Sequence, residues 1–130
     1  MRMAVVEYIE PGFVRAKTDG KFDIENAKGT FLEILDLIDQ HKAVKVLLDH
    51  RALSGEPTVI ERFYYGEFVA DAVNGLRSRG WIGAMPQFAY VMLEPVLDPM
   101  RLGETVAVNR GMNVKTFEDE SEALEWLDVA

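Results

Sequence analysis

Along this chain, apolar positions switch repeatedly between every-second and every-third-or-fourth spacing, and the switches divide it into strands and helices. Met3 to Ile9 and Phe13 to Thr18 are strand-like runs separated by Glu10, Pro11 and Gly12, and the Pro-Gly pair predicts a hairpin with a tight turn. Asp19 and Gly20 close the second strand. Asp23 can cap a helix whose apolar residues Ile24, Ala27, Phe31, Ile34, Leu35 and Ile38 fall at steps of three and four, with Glu25, Lys28, Glu33 and Asp36 on the opposite side. Gly29 interrupts that helix and is a candidate point of close packing.

The stretch from Val44 to Phe63 organises the rest. Val44, Val46, Leu47 and Leu48 form a short apolar run rich in β-branched residues, which suits a central strand covered on at least part of both faces. Asp49 ends the run, and Ser54, Gly55 and Pro57 supply turn chemistry. Thr58 with Glu61 three residues later is a capping box, in which each side chain satisfies a backbone N–H at the start of a helix. The helix predicted from Thr58 to about Arg79 carries two apolar stripes, one through Val59, Phe63, Gly66, Ala70 and Val73, the other through Ile60, Tyr64, Phe68 and Ala72. Other helices of the chain are the simplest cover for the second stripe. A partner surface built from Tyr64, Tyr65 and Phe68 is the alternative, since exposed aromatic groups mark interfaces.

Gly80 stops this helix, and Trp81 to Pro86 leads to Phe88 through Leu93, apolar at nearly every position and read as a second buried strand. A strand, a helix and a strand imply a parallel pair. Asp98 followed by Pro99 predicts a helix start, with the helix running through Val106 to Arg110 and ending at Gly111. Asn113 to Phe117 is a last strand. Asp119 and Glu122 have capping-box spacing ahead of a short helix whose apolar face is Ala123, Leu124, Trp126 and Leu127. The order is ββαβαβαβα, with no repeat, low-complexity stretch or linker, so residues 1–130 read as one α/β domain.

Composition narrows the function. The formal net charge of −8 argues against non-specific binding to nucleic acid or to an anionic membrane surface, both of which depend on basic patches. With no cysteine, there are no disulfides, thiolate nucleophiles or Cys-ligated zinc. No apolar run approaches the roughly 20 residues of a membrane span, and Met1-Arg2-Met3 opens no signal-peptide pattern; the expected location is the cytoplasm.

Three segments together resemble the SpoIIAA-like family: Val46-Leu-Leu-Asp-His-Arg-Ala-Leu-Ser-Gly55 with the following Glu61-Arg62-Phe63, Ala107-Val-Asn-Arg-Gly111, and Phe117-Glu-Asp-Glu-Ser-Glu-Ala-Leu-Glu-Trp-Leu127. These are small bacterial proteins grouped with STAS and Sec14-type domains. The resemblance implies a right-handed β-α superhelix in which helices pack mainly on one face of a mixed, mainly parallel sheet whose hairpin strand is antiparallel. Alternate strand residues such as Phe88, Tyr90 and Met92 then form a set that, if turned away from the helices, needs a cover.

The expected function is that of an interaction or regulatory module without catalysis that forms a homodimer. STAS domains of the anti-sigma antagonist type carry a phosphorylatable serine at the start of the helix after the third strand. That region here offers Ser54 and Thr58, but it departs from the Asp-Ser-Ser-Gly-type pattern and Pro57 intervenes. Ser54 explains itself as a turn residue and Thr58 as a cap. Sec14-type relatives bind lipids under a gating helix for which this chain looks too short, so a carrier or sensor of a small apolar ligand is the alternative function. Its site would lie at the C-terminal edge of the parallel strands, where Asp49, Arg51, Ser54 and Glu94 fall in loops and where an Asp49–Arg51 ion pair would pin the backbone.

Catalytic readings find little support. A Ser54-His50-Asp49 triad would require three near neighbours on one short loop to converge. His50, Asp49 and Glu94 are metal-ligand types without metal-ligand spacing, and no glycine-rich phosphate loop occurs, so neither a cofactor nor a metal is expected. Asn109-Arg110-Gly111 reads as a helix end.

Overall fold

The computed structural model describes residues 4–129, and its elements follow the predicted order: β1 (Ala4–Ile9), β2 (Phe13–Lys21), α1 (Ile24–His41), β3 (Lys45–Ser54), α2 (Val59–Ser78), β4 (Gln87–Val91), α3 (Leu102–Asn109), β5 (Asn113–Phe117) and α4 (Glu120–Leu127). The expected start of the first strand at Met3 lies outside the described residues. One five-stranded sheet runs β1-β2-β3-β4-β5, with β1 antiparallel to β2 and the other pairs parallel. Because the strand order never reverses, crossovers of one hand put α1, α2 and α3 on the same face.

That face holds the main core. Phe31, Ile34, Leu35 and Ile38 of α1 and Val69, Ala70, Val73 and Leu76 of α2 pack on Val14, Ala16, Val46, Leu48, Phe88 and Tyr90. Phe88 and Tyr90 therefore point towards the helices. The opposite set, Leu47, Ala89, Val91 and Phe117, is covered by Ala123 and Leu127 of α4, which doubles back beneath the sheet. The expected need for an outside cover over β4 is met within the chain.

Helix ends follow their caps. The Asp23 carboxylate accepts the amides of Glu25 and Asn26, and Thr58 and Glu61 form the reciprocal box at the start of α2. Asp119 caps α4 through the amide and hydroxyl of Ser121 instead of through a box with Glu122. The α3 helix begins three residues later than Asp98-Pro99 suggests. Asp98 spends its carboxylate on a preceding turn, accepting from Met100 and Leu102, and Arg101 adopts a left-handed conformation at φ 51° before the helix starts.

The close-packing glycine is Gly66, not Gly29. A Cβ at Gly66 would lie 2.6 Å from the Gly103 carbonyl oxygen, whereas one at Gly29 would meet nothing within 4 Å. This contact seats α3 against α2.

Candidate functional site

Asp49 does not end the central strand. β3 continues to Ser54, pairing with β2 out to Lys21, so Asp49, Arg51 and Ser54 are strand residues and not loop residues. Polar residues persist in the strand because they satisfy one another on the α4 face. Arg51 donates from Nε and Nη2 to the two Asp49 carboxylate oxygens at 2.9 and 2.8 Å, and Glu120 accepts from both Arg51 and Arg15. The Arg51 hydrogen bonds hold the Asp49 carboxyl below its usual range, against the opposing effect of burial. The expected ion pair exists, but it fastens the strand to the start of α4 and not a loop.

The pairing slips at this point. Lys17 stands opposite Asp49, but Asp19 stands opposite Ala52, so Thr18 faces two β3 residues, His50 and Arg51. Bulges of this kind re-aim side chains and concentrate next to sites. Here the slip leaves Asp49 and Arg51 on the α4 face and His50 on the α1/α2 face. A Ser54-His50-Asp49 triad and a His50-Asp49-Glu94 metal set are both excluded by this geometry.

His50 is the polar centre of the helix-covered face. The residue is 7% exposed, and its ring stands edge-on to Tyr90, 5.3 Å between centroids. Burial pushes the imidazole down to about 4, with the Asp49 charge only partly opposing, so the ring is neutral near pH 7. Next to it the Tyr65 and Tyr90 hydroxyls share a hydrogen bond of 2.8 Å, and burial raises both phenols above their ordinary value.

Two cavities meet on this centre, and His50, Tyr65 and Phe22 line both. The first, of about 100 Å³, lies between α2, α3 and the sheet, bounded by Arg62, Leu97, Glu104 and Thr116 among others. Its walls are tied together by polar contacts: Arg62 donates to the Pro95 and Val96 carbonyls, Arg101 to the Thr116 carbonyl, and the Thr116 amide to Glu104. The second is an open groove of about 910 Å³ between the end of β2, the first turns of α1 and the start of α2. Its volume falls in the range of small-molecule sites, and it lies at the carboxyl edge of the parallel strands.

The remaining residues singled out from the sequence are dispersed. Ser54 is exposed, its hydroxyl donating to the Gly20 carbonyl at 3.4 Å, and the Thr58 hydroxyl is occupied as a cap. Glu94 is exposed in the segment after β4, away from the Asp49–Arg51 pair. Tyr65 turns inward to Tyr90, and Phe68 is half-buried against the core with Lys28 over its ring at 5.3 Å. Only Tyr64 of the aromatic trio stands outside, 53% exposed, because residues i and i+1 of a helix cannot share a face. It joins Val59, Ile60 and Phe63 in an exposed apolar face on the first half of α2. Sequence reasoning passed over His50 and Thr18 as a pair; a lone histidine inside a polar-looking stretch carries no signal of its burial.

A mixed sheet with three crossover helices on one face and a returning helix on the other defines a STAS-type α/β domain. The sequence matches the SpoIIAA-like family over residues 13–128, and the chain belongs to that family. No curated protein matches it. Among solved structures, it is similar to an anti-sigma factor antagonist from Mycobacterium paratuberculosis, at 14% identity and a TM-score of 0.58, covering 96% of this chain and 92% of that one. It is also similar to the anti-sigma factor antagonist SpoIIAA in its unphosphorylated form, at 13% identity and a TM-score of 0.56, covering 98% and 99%. A third is an uncharacterised protein with a SpoIIAA-like fold from Shewanella loihica, at 17% identity and a TM-score of 0.52, covering 95% and 91%. At these identities the likeness speaks for the fold alone. Among the described residues, no helix is long and apolar enough to cross a membrane.

Proposed function

We propose that this protein is a regulatory interaction module without catalysis of its own, and that it self-associates through the exposed face of α2. The observation that carries this reading is that face: Val59, Ile60, Phe63 and Tyr64 are 70, 63, 40 and 53% exposed on two successive turns. Contiguous apolar groups of this kind, with aromatic members, are what protein interfaces bury. Two structural neighbours are anti-sigma factor antagonists, which agrees with a role exercised on other proteins. The polar side chains that would have to converge for catalysis are held apart on opposite faces of β3 or committed to caps and ion pairs.

The phosphoswitch reading gains nothing from Thr58, whose hydroxyl is the helix cap, and Ser54 sits at a strand end before Gly55 and Pro57. The α2 surface is tested by placing a charge in it. Ile60→Glu and Tyr64→Glu are expected to give folded monomers, read by sedimentation velocity with circular dichroism as the folding control. A charged variant that remains as associated as wild type would remove this face from consideration.

A further inference from the structure

The groove beside α1 holds two buried polar groups, and one of them has no hydrogen-bond partner. Thr18 and His50 lie side by side on the helix-facing side of β2 and β3, at the register slip, and both line the groove. Thr18 is 9% exposed and its Oγ1 has no hydrogen-bond partner; His50 is 7% exposed, its ring edge-on to Tyr90. A buried hydroxyl ordinarily finds a partner, because leaving it unpaired forfeits its hydration without return. The Thr18 hydroxyl and the neutral His50 ring, each able to accept a hydrogen bond, thus open on one groove.

The groove's charge selects what can fill it. Among the other described lining residues, Asp19, Asp23, Glu25 and Glu61 are acidic and Lys21 is basic. The walls beneath this rim are apolar, with Phe22, Ile24, Ala27, Leu48, Leu53 and Tyr65. An anionic head is disfavoured by this rim, while a cation is drawn in. An ammonium group brings three donors and no acceptor, which complements a neutral imidazole nitrogen, a hydroxyl oxygen and a rim carboxylate.

We propose that this groove binds a small primary amine with an apolar tail, its ammonium held by Thr18 Oγ1 and the His50 ring and its tail lying against Phe22, Leu48 and Tyr65. This goes beyond the interaction reading and does not depend on the oligomeric state. The imidazole's resistance to protonation agrees with it, since a charged ring would repel the head group.

The test is a 1H–15N NMR titration of the full chain at pH 7 with hexylamine, hexanol and hexanoate, which share a tail and differ in the head. Hexylamine is expected to shift the Thr18 and His50 resonances and to bind about ten-fold or more tighter than hexanoate. Thr18→Val deletes an unpaired hydroxyl and keeps the side chain's shape, so it stays folded; it is expected to bind hexylamine roughly three- to ten-fold more weakly, the loss of one hydrogen bond. His50→Leu is expected to do the same. Equal or tighter binding of hexanoate, shifts that map away from the groove, no saturable shift with hexylamine, or unchanged affinity in Thr18→Val would each overturn the proposal.

Discussion

Replacing His50 by leucine should flatten the acid side of the stability curve. In the unfolded chain the imidazole titrates near 6.5, and in the folded protein burial lowers it to about 4. Between these values the unfolded chain holds a proton that the folded one does not, so stability falls as the pH falls through the unfolded value and the loss levels off below the folded one. From these two values, wild type at pH 5 is about 20-fold, or roughly 2 kcal/mol, less stable than at pH 7 through His50 alone. Urea denaturation of wild type and His50→Leu at both pH values isolates that quantity, because every other titrating group is common to the two proteins. The difference between the two stability changes is expected to be about 2 kcal/mol, whatever the substitution does at pH 7. Parallel losses in the two proteins would show that His50 is not buried as a neutral ring.

Other substitutions probe the frame around it. Gly66→Ala gains helix propensity but drives a Cβ into the Gly103 carbonyl, so overpacking should win and cost about 1–3 kcal/mol, while Gly29→Ala meets open space and should stabilise by up to about 1 kcal/mol; thermal unfolding of the two distinguishes packing from propensity. Thr58→Ala should cost about 1 kcal/mol by chemical denaturation, the worth of a cap. Asp49→Asn should cost about 1–2 kcal/mol, near the low end because Arg51 is half-exposed and keeps Glu120. In wild type, the Asp49 contribution is fully present above its unfolded value of 3.8 and disappears as the pH falls through the lower folded one, a window below that of His50.

Element order, caps and most of the core were legible in the sequence because periodicity and cap chemistry are local. Most of the failures trace to partners far along the chain. Asp49, His50 and Arg51 look like a loop, yet they remain in β3 because Arg51 answers Asp49 two residues away and Glu120 sixty-nine residues away. The register slip opposite Thr18 leaves no trace in composition, so neither the facing of His50 nor the groove it lines was visible. Alternation in β4 showed two sets of residues but not which set met the helices; that was decided by α4 returning beneath the sheet. The aromatic trio on α2 was grouped by residue type, whereas helical geometry sends Tyr64 and Tyr65 to different environments.

Sedimentation velocity on wild type and on the Ile60→Glu, Tyr64→Glu double variant, over a wide range of protein concentration, tests the central claim most directly. Wild type is expected to pass from monomer to dimer as concentration rises, and the variant, with unchanged circular dichroism, to stay monomeric throughout. A wild type that is monomeric at every concentration, or a variant that dimerises as wild type does, would contradict it.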